Sequence, residues 1–423
     1  MNNSSDNTLI AIQAIQKKLL GKRLSYKEIF TIMDEISHER LSDVLTTYFV
    51  ATSFKEGYTP EELFLFTKAM VETGNKLHFK GIVADKHSTG GVAGARTTMI
   101  IVPIIAAAGF KIPKISSRAI TSPAGTADVM EVISSVNFTT TQIEKIVNDT
   151  GGCIAWNGHL GIAPADDIII RVEEPLSFES FDKIIISIMA KKVAASTTHL
   201  ILDIPVGKTM KIRHFADAES VAHKFKILGA KFGMKVIADV NETLEPLGRG
   251  VGPALEARDV LYVLEQKIDR PIKLEAKALR LAGKLLDLCY KDSNKNPPAG
   301  GGEEEAKKIL QNGSALKKFQ EITSAQKGLR NVSSEMIILS HHKLEICSPK
   351  IGKIKDINNY NLNSIAKVLG APTDQKAGLY LLKKLDEYVD KHEPMLVFYS
   401  SNPFHIKEAE VTIKNFPIYE IES

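Results

Sequence analysis

Three cysteines in 423 residues, none near another, leave no basis for a disulfide framework and point to a reducing compartment. Cys153, Cys289 and Cys347 also lack the short spacing that a metal site needs. Long apolar runs are missing too: the most apolar stretch, Met99 to Ala108, is too short to span a bilayer and contains Pro103. The opening MNNSSDNTL has no basic segment leading into an apolar core, so no signal peptide is expected. Nor does one sign of charge dominate. Lys and Arg number 54 against 50 Asp and Glu, a net +4 spread along the chain. That excess disfavours a nucleic-acid polyelectrolyte site, and small anionic substrates fit at least as well. The expectation is a soluble cytoplasmic protein with neither nucleic acid nor membrane as partner.

What is present is an ordinary globular balance, 44% hydrophobic and 25% charged, in a chain too long for one core. The first 75 or so residues are expected to be helical. Ser25 with Glu28, and Thr59-Pro60-Glu61-Glu62, are helix-start signals. From Gly81 onward, short β-rich runs at 81–85, 115–116, 153–156, 200–204 and 235–239 alternate with helical segments such as 141–149 and 215–228. That alternation predicts an α/β fold with a mostly parallel sheet covered on both faces.

An amphipathic segment at 178–195 interrupts it. Phe181, Ile184, Ile185 and Ile188 fall on one side; Lys183, Ser187 and Lys191 fall at four-residue spacing on the other. The expected architecture is a small discontinuous helical domain (1–78 and 167–198), a large α/β domain (79–166 and 199–335) and a C-terminal α+β domain (341–423). Residues 291–303 are expected to form a surface loop before a helix from about Glu304, and the last domain to hold one helix near 362–369.

Two Gly/Ser/Thr-rich segments follow expected strands: Asp85 to Gly91, with Thr97 and Thr98 opening the next helix, and Ser116 to Asp128. In a parallel sheet both fall at the carboxyl ends of strands, where ligands bind. Glycines let the backbone approach an anion, and N–H groups, hydroxyls and a lysine then satisfy its oxygens. Other apparent motifs fail. Gly207-Lys208-Thr209 has Leu202 where a P-loop needs its leading glycine, and Gly248, Gly250 and Gly252 are misspaced for a dinucleotide fingerprint. His341-His342 lacks partner ligands, so no metal site is read.

The run Lys86-His87-Ser88-Thr89-Gly90-Gly91, the run from Ser116 and Arg118 through Ala124-Gly125-Thr126 to Asp128 and Glu131, residues 247–256 and Gly370-Ala371-Pro372 together resemble the thymidine and pyrimidine nucleoside phosphorylases. The resemblance spans about Leu19 to Ala409. Within it, SRAITS at 117–122, the stretch 163–173 and Asp203 to Lys208 are more similar to the AMP (nucleoside monophosphate) phosphorylases. Two departures stand out: the extra N-terminal domain usual in that branch is not expected here, and Glu179 stands where its proton-donating aspartate is found.

The resemblance implies phosphorolysis of an N-glycosidic bond by a homodimer or larger oligomer, with inorganic phosphate as co-substrate and no cofactor. It implies that Lys86, Ser88, Thr98, Ser116 and Thr126 hold that phosphate. The base is implied near His87, Arg171, Ser187 and Lys191, and Glu179 and His87 are the implied catalytic groups. Ser187 and Lys191, one helical turn apart, can reach one planar ligand together. A substrate 5′-phosphate adds about two negative charges. Gly91, Ser117, Arg118, Ala119, Ile120, Thr121, Ser122, Thr126 and Lys211 are the implied nucleotide-binding set. The main rival is a thymidine or pyrimidine nucleoside phosphorylase. For an anthranilate-type phosphoribosyltransferase the expected acidic metal-loop residues are not evident in this sequence, and for a biotinyl-like carrier it has no lysine turn.

Overall fold

The structure, a computed structural model, describes residues 2–52, 57–119, 122–158, 160–173 and 180–422. Four helices come first: α1 (Asn2–Leu19), α2 (Tyr26–Ser37), α3 (Asp43–Ala51) and α4 (Pro60–Glu72). Capping boxes start α2 and α4: the Ser25 and Thr59 hydroxyls accept from the N–H groups of Glu28 and Glu62, whose carboxylates accept in return. Strands and helices then alternate as β1 (Ala84–Ser88), α5 (Thr97–Ala107), β2 (Ile112–Ser116), α6 (Thr126–Glu131), α7 (Thr140–Thr150) and β3 (Gly152–Trp156). Helices α8 (Pro164–Glu173) and α9 (Phe181–Ala194) break the alternation. It resumes with β4 (His199–Val206), α10 (Phe215–Lys231), β5 (Lys235–Glu242) and the short β6 (Gly250–Val251). Four helices follow: α11 (Pro253–Leu264), α12 (Ile272–Lys291), α13 (Gly301–Gln311) and α14 (Ser314–Ala325). The C-terminal part contains β7 (Lys343–Cys347), β8 (Gly352–Ile357), α15 (Asn359–Val368), β9 (Gly378–Leu381), β10 (Tyr388–Val389), β11 (Pro394–Tyr399), α16 (Pro403–Asn415) and β12 (Tyr419–Glu422).

The ladders β1–β4–β5 and β2–β3 are parallel, and a parallel bridge between Val83 and Lys111 joins them into the order β3-β2-β1-β4-β5. Every residue of β4 is buried, as a central strand covered on both faces must be. The chain leaves β1 on one side toward β2 and returns on the other as β4. The carboxyl ends of β1 and β4 therefore flank the switch point where open α/β sheets take ligands.

Helices α8 and α9 fold back on the N-terminal helices, where Ile32, Phe66, Ile169, Ile185 and Met189 share one apolar cluster that continues to Leu200 and Leu202 on the sheet. Ile100, Leu261, Leu285 and Phe319 cover the opposite face. A separate cluster around Ile354, Leu362, Leu379 and Phe398 fills the C-terminal domain, whose sheets are antiparallel. Strand β6 pairs with β9, stitching the 247–252 segment to that domain. No described helix is long and apolar enough to cross a membrane.

The structure differs from expectation at several places. Lys86, His87 and Ser88 are not loop residues: they extend β1, in register with Ile201, Leu202 and Asp203. Helix α8 starts at Pro164, ahead of the expected domain boundary at 167, because Ile162, Ala163 and Ala165 are buried in the helical cluster. The described part of α9 starts with Phe181, which is exposed, while Lys183, expected on the polar face, is buried. Helix α13 begins three residues before Glu304, and the C-terminal domain holds a second helix, α16, capped by Asn402 with Pro403 at its first position.

Candidate active site

The carboxyl ends of β1 and β2, the starts of α5 and α6, and the inward faces of α8 and α9 enclose a cleft of about 570 Å³. Among the described residues, eight cationic side chains line it (Lys86, Arg96, Lys114, Arg118, Lys183, Lys191, Lys192 and Lys211) against two carboxylates, Asp166 and Glu173. Such a surplus suits an anionic ligand.

Asp203 organises the sheet side. It stands opposite Ser88 in the β1–β4 register and its Oδ2 accepts from the Ser88 hydroxyl at 2.9 Å, with Lys86 Nζ 3.7 Å away. Lys277 (2.8 Å) and Asn241 (3.0 Å) occupy its other oxygen. Burial pushes the Lys86 ammonium down to about 8, and Asp203 opposes that shift. Thr98, in the first turn of α5, Ser116 at the end of β2 and Thr126 at the start of α6 complete this wall. The structure thus brings all five expected phosphate ligands to one cleft. Arg96 was missed in the sequence. It is held by Glu256 and donates to the Thr126 hydroxyl (3.3 Å) and the Ala124 carbonyl (2.7 Å).

Beneath His87 lies a second charged group that sequence spacing does not reveal. Asp85, fully buried, accepts from Lys192 at 2.5 Å and from Lys114 at 3.3 Å, and Lys114 also donates to the Lys86 carbonyl at 2.7 Å. Burial, then the charges of Lys192, Lys114, Lys86 and Lys191, hold His87 well below the usual imidazole value. It is a neutral ring at pH 7, able to donate from one nitrogen and accept at the other.

The loop between β2 and α6 is self-contained. Arg118 is bound by Glu131 (2.5 Å) and Asp128 (3.1 Å) and lies over the Trp156 ring at 4.6 Å. Two carboxylates thus already neutralise the expected anion ligand. Asp128 also accepts from the N–H groups of Ala119 (2.7 Å) and Gly125 (2.8 Å). A Cβ at Gly125 would sit 2.4 Å from the Arg118 carbonyl carbon, so only glycine lets the two legs of the loop approach this closely. Ser117 and Ser122 line the cleft, the latter donating to the Ala124 carbonyl at 2.8 Å; Ala119 does not line it. Ile120 and Thr121 lie outside the described residues.

On the helical side Asp166 receives both the Ser187 hydroxyl (2.9 Å) and Lys191 Nζ (2.6 Å), so one carboxylate, not foreseen in the sequence, aims the two expected base ligands. Lys183 pairs with Glu173 nearby and is pushed down to about 7 by burial. Gly91 (φ +89°) and the exposed Lys211 close the cleft opposite, 3.5 Å separating a Cβ at the first from the Cγ of the second. Arg171 is a correction. It is exposed, pairs with Glu39 (3.2 Å) and Asp43 (3.0 Å), and does not line the cleft, because Ile170 and Glu173 occupy that face of α8. Glu179 lies outside the described residues.

Comparison with known proteins follows the same division. Residues 80–316 match the family described as glycosyl transferase family, a/b domain; residues 12–74 match its helical bundle domain; residues 353–419 match the pyrimidine nucleoside phosphorylase C-terminal domain. An AMP phosphorylase of Thermofilum pendens is 43% identical over 401 residues, 95% of this chain and 76% of that one. AMP phosphorylase 1 of Archaeoglobus fulgidus is 40% identical over 410 residues, 96% and 80% respectively. A Legionella pneumophila protein bearing a thymidine phosphorylase name is 40% identical over 400 residues, 94% and 75%. Among solved structures, anthranilate phosphoribosyltransferase from Thermus thermophilus superposes with a TM-score of 0.61 at 17% identity, covering 74% of this chain and 99% of that one, a likeness of fold.

Proposed function

The chain belongs to the glycosyl transferase family defined by that a/b domain and helical bundle, and on this premise we propose that it splits nucleoside 5′-monophosphates with inorganic phosphate. The products are free base and ribose 1,5-bisphosphate, and the substrates are AMP, CMP and UMP. One observation carries the reading: a single cleft is lined both by hydroxyls with Lys86 and by Ser187 and Lys191, which Asp166 holds side by side.

In phosphorolysis a phosphate oxygen forms the new bond to C1′ as the C1′–N bond breaks. The electron pair departs on the base, which takes up a proton or a strong hydrogen bond. Lys86, Ser88, Thr98, Ser116 and Thr126 fix the attacking phosphate; holding it on one face of the sugar makes the attack effectively intramolecular. Neutral His87, Ser187 and Lys191 hydrogen-bond the departing base, and Lys191 stabilises its developing negative charge. Glu179, on the family resemblance, delivers the proton. Gly91, Lys211 and, within the 117–122 segment, Ser117 and Ser122 meet the 5′-phosphate. Arg118 keeps that segment in shape through Asp128 and Glu131. The phosphate is itself the nucleophile, so the reaction as proposed uses no cofactor. Three free cysteines agree with a cytoplasmic setting, and a homodimer is the proposed assembly.

The rival reading, a pyrimidine nucleoside phosphorylase releasing (deoxy)ribose 1-phosphate, draws on the C-terminal domain description and the Legionella relative. Incubating the protein and phosphate with AMP, CMP, UMP, adenosine, uridine and thymidine, then resolving bases and sugar phosphates, separates the two. Base release from the monophosphates is expected; release from nucleosides alone would transfer the assignment to the rival.

A further inference from the structure

Every lining residue of the cleft lies between Met33 and Lys211, so the described C-terminal domain contributes none. It nevertheless reaches the glycine loop that follows β1. Gly90 and Gly91 both adopt left-handed φ, +85° and +89°. Glycine backbone is the most costly to order, so a loop of this kind needs an external restraint to hold one shape.

Asn359, the first residue of α15, supplies one. Its Oδ1 accepts from the Ala93 N–H at 2.9 Å, and its Nδ2 donates to the Gly91 carbonyl at 2.5 Å. One side-chain amide thus closes on the backbone at both sides of Val92. The side chain is 2% exposed, and α15 is fixed by the Asn358 cap. The same domain also bears on the loop indirectly, through the 246–248 segment of the α/β domain. Gly248 N–H donates to the Gly94 carbonyl at 3.1 Å, while Lys384 holds the carbonyls of Pro246 and Gly248.

We infer that Asn359 is a positioning residue through which the C-terminal domain sets the glycine loop against the anionic substrates. The inference rests on the proposed phosphorolysis for the identity of those substrates. Asn359 touches no substrate itself; it fixes the backbone that does.

The test uses the full chain with Asn359→Ala and Asn359→Asp. Hydrogen exchange of residues 89–94 without ligand is expected to accelerate about tenfold or more in the Ala variant. The KM for phosphate and nucleotide should rise about tenfold, with kcat changed less than about threefold. Asn359→Asp adds a signature that loss of folding cannot imitate. Protonated, it can still donate to Gly91 and accept from Ala93; ionised, it opposes the Gly91 carbonyl, so its substrate affinity should recover as pH falls. Unchanged exchange in the Ala variant overturns the clamp. Faster exchange with KM values at the parental level overturns its role in binding. A parental enzyme that releases no base from AMP fails the reaction proposed above, while an exchange difference would leave the clamp standing.

Discussion

Lys192, on the last helix of the helical domain, places its Nζ 2.5 Å from Asp85 Oδ2 on the first strand of the α/β domain, and both side chains are buried. The ion pair lies under His87 and joins the two walls of the cleft at their base. Asp85 carries Lys114 on its other oxygen at 3.3 Å, so its charge is shared between two cations.

Removing the shared partner should therefore cost more than removing one of its lysines. Asp85→Ala leaves two buried ammonium groups and is expected to cost about 3–5 kcal/mol of stability. Lys192→Met, which leaves the Asp85–Lys114 pair intact, should cost less than about half as much. Urea unfolding of both variants checks this; equal losses would mean that Lys114 does not neutralise Asp85.

Burial brings the Lys86 ammonium down to about 8. The group is charged below that value and neutral above it, so phosphate affinity should fall as pH rises from 7 to 9. Lys86→Ala should weaken phosphate binding about ten- to a hundredfold at pH 7, the size of a lost charged hydrogen bond, and flatten the pH dependence. Calorimetric titration across that range decides; an undiminished slope in the variant would assign it to another group.

His87 is held neutral by burial and four neighbouring lysines. Its imidazole resonances should stay unshifted as pH falls from about 8 through 6.5, the midpoint of an ordinary histidine. A midpoint near 6.5 in an NMR titration would contradict the electrostatics described for the cleft.

Glu179→Gln should depress turnover of AMP by about a hundredfold or more with little change in melting temperature, if the carboxyl protonates the leaving purine. Glu179→Asp, which restores the shorter acid of the AMP phosphorylase branch, should retain activity. Parental AMP turnover in the Gln variant would remove Glu179 from the chemistry.

Arg171→Ala should leave the KM for nucleotide within about twofold of the parent. Its exposed pairs with Glu39 and Asp43 are worth about 0.2–1 kcal/mol each, so stability should move little. A large KM increase for nucleotide alone would show that the arginine leaves those partners when substrate binds.

Much of this was legible in the sequence, for identifiable reasons. The capping boxes at Ser25 and Thr59 and the five short β-rich runs carry local signals, and each found its element within a few residues. Ser187 and Lys191 share a helix face by spacing alone. What spacing cannot supply is partnership between distant segments. Asp203 faces Ser88 only because β4 lies beside β1, and Asp166 meets Ser187 only because α8 packs near α9. Lys86, His87 and Ser88 look like loop residues because their polarity opposes strand propensity; pairing with buried β4 overrides it. Arg171 sits in a site-like stretch of sequence, yet helical rotation turns it away from the cleft.

The helical domain is built from two separated stretches, and that fixes an order of events during synthesis. Helices α1 to α4 leave the ribosome early, but the partners that cover them, α8 and α9, come only after β1, β2 and β3 have been made. Domains fold as units once their chain is complete. The apolar surface that α1 to α4 do not cover among themselves, around Ile32, Phe66 and Met70, therefore stays open until residue 194 has emerged, while an entire stretch of sheet-forming chain passes beside it. A ribosome stalled between residues 75 and 180 holds a nascent chain with half a bundle exposed, a ready client for a chaperone.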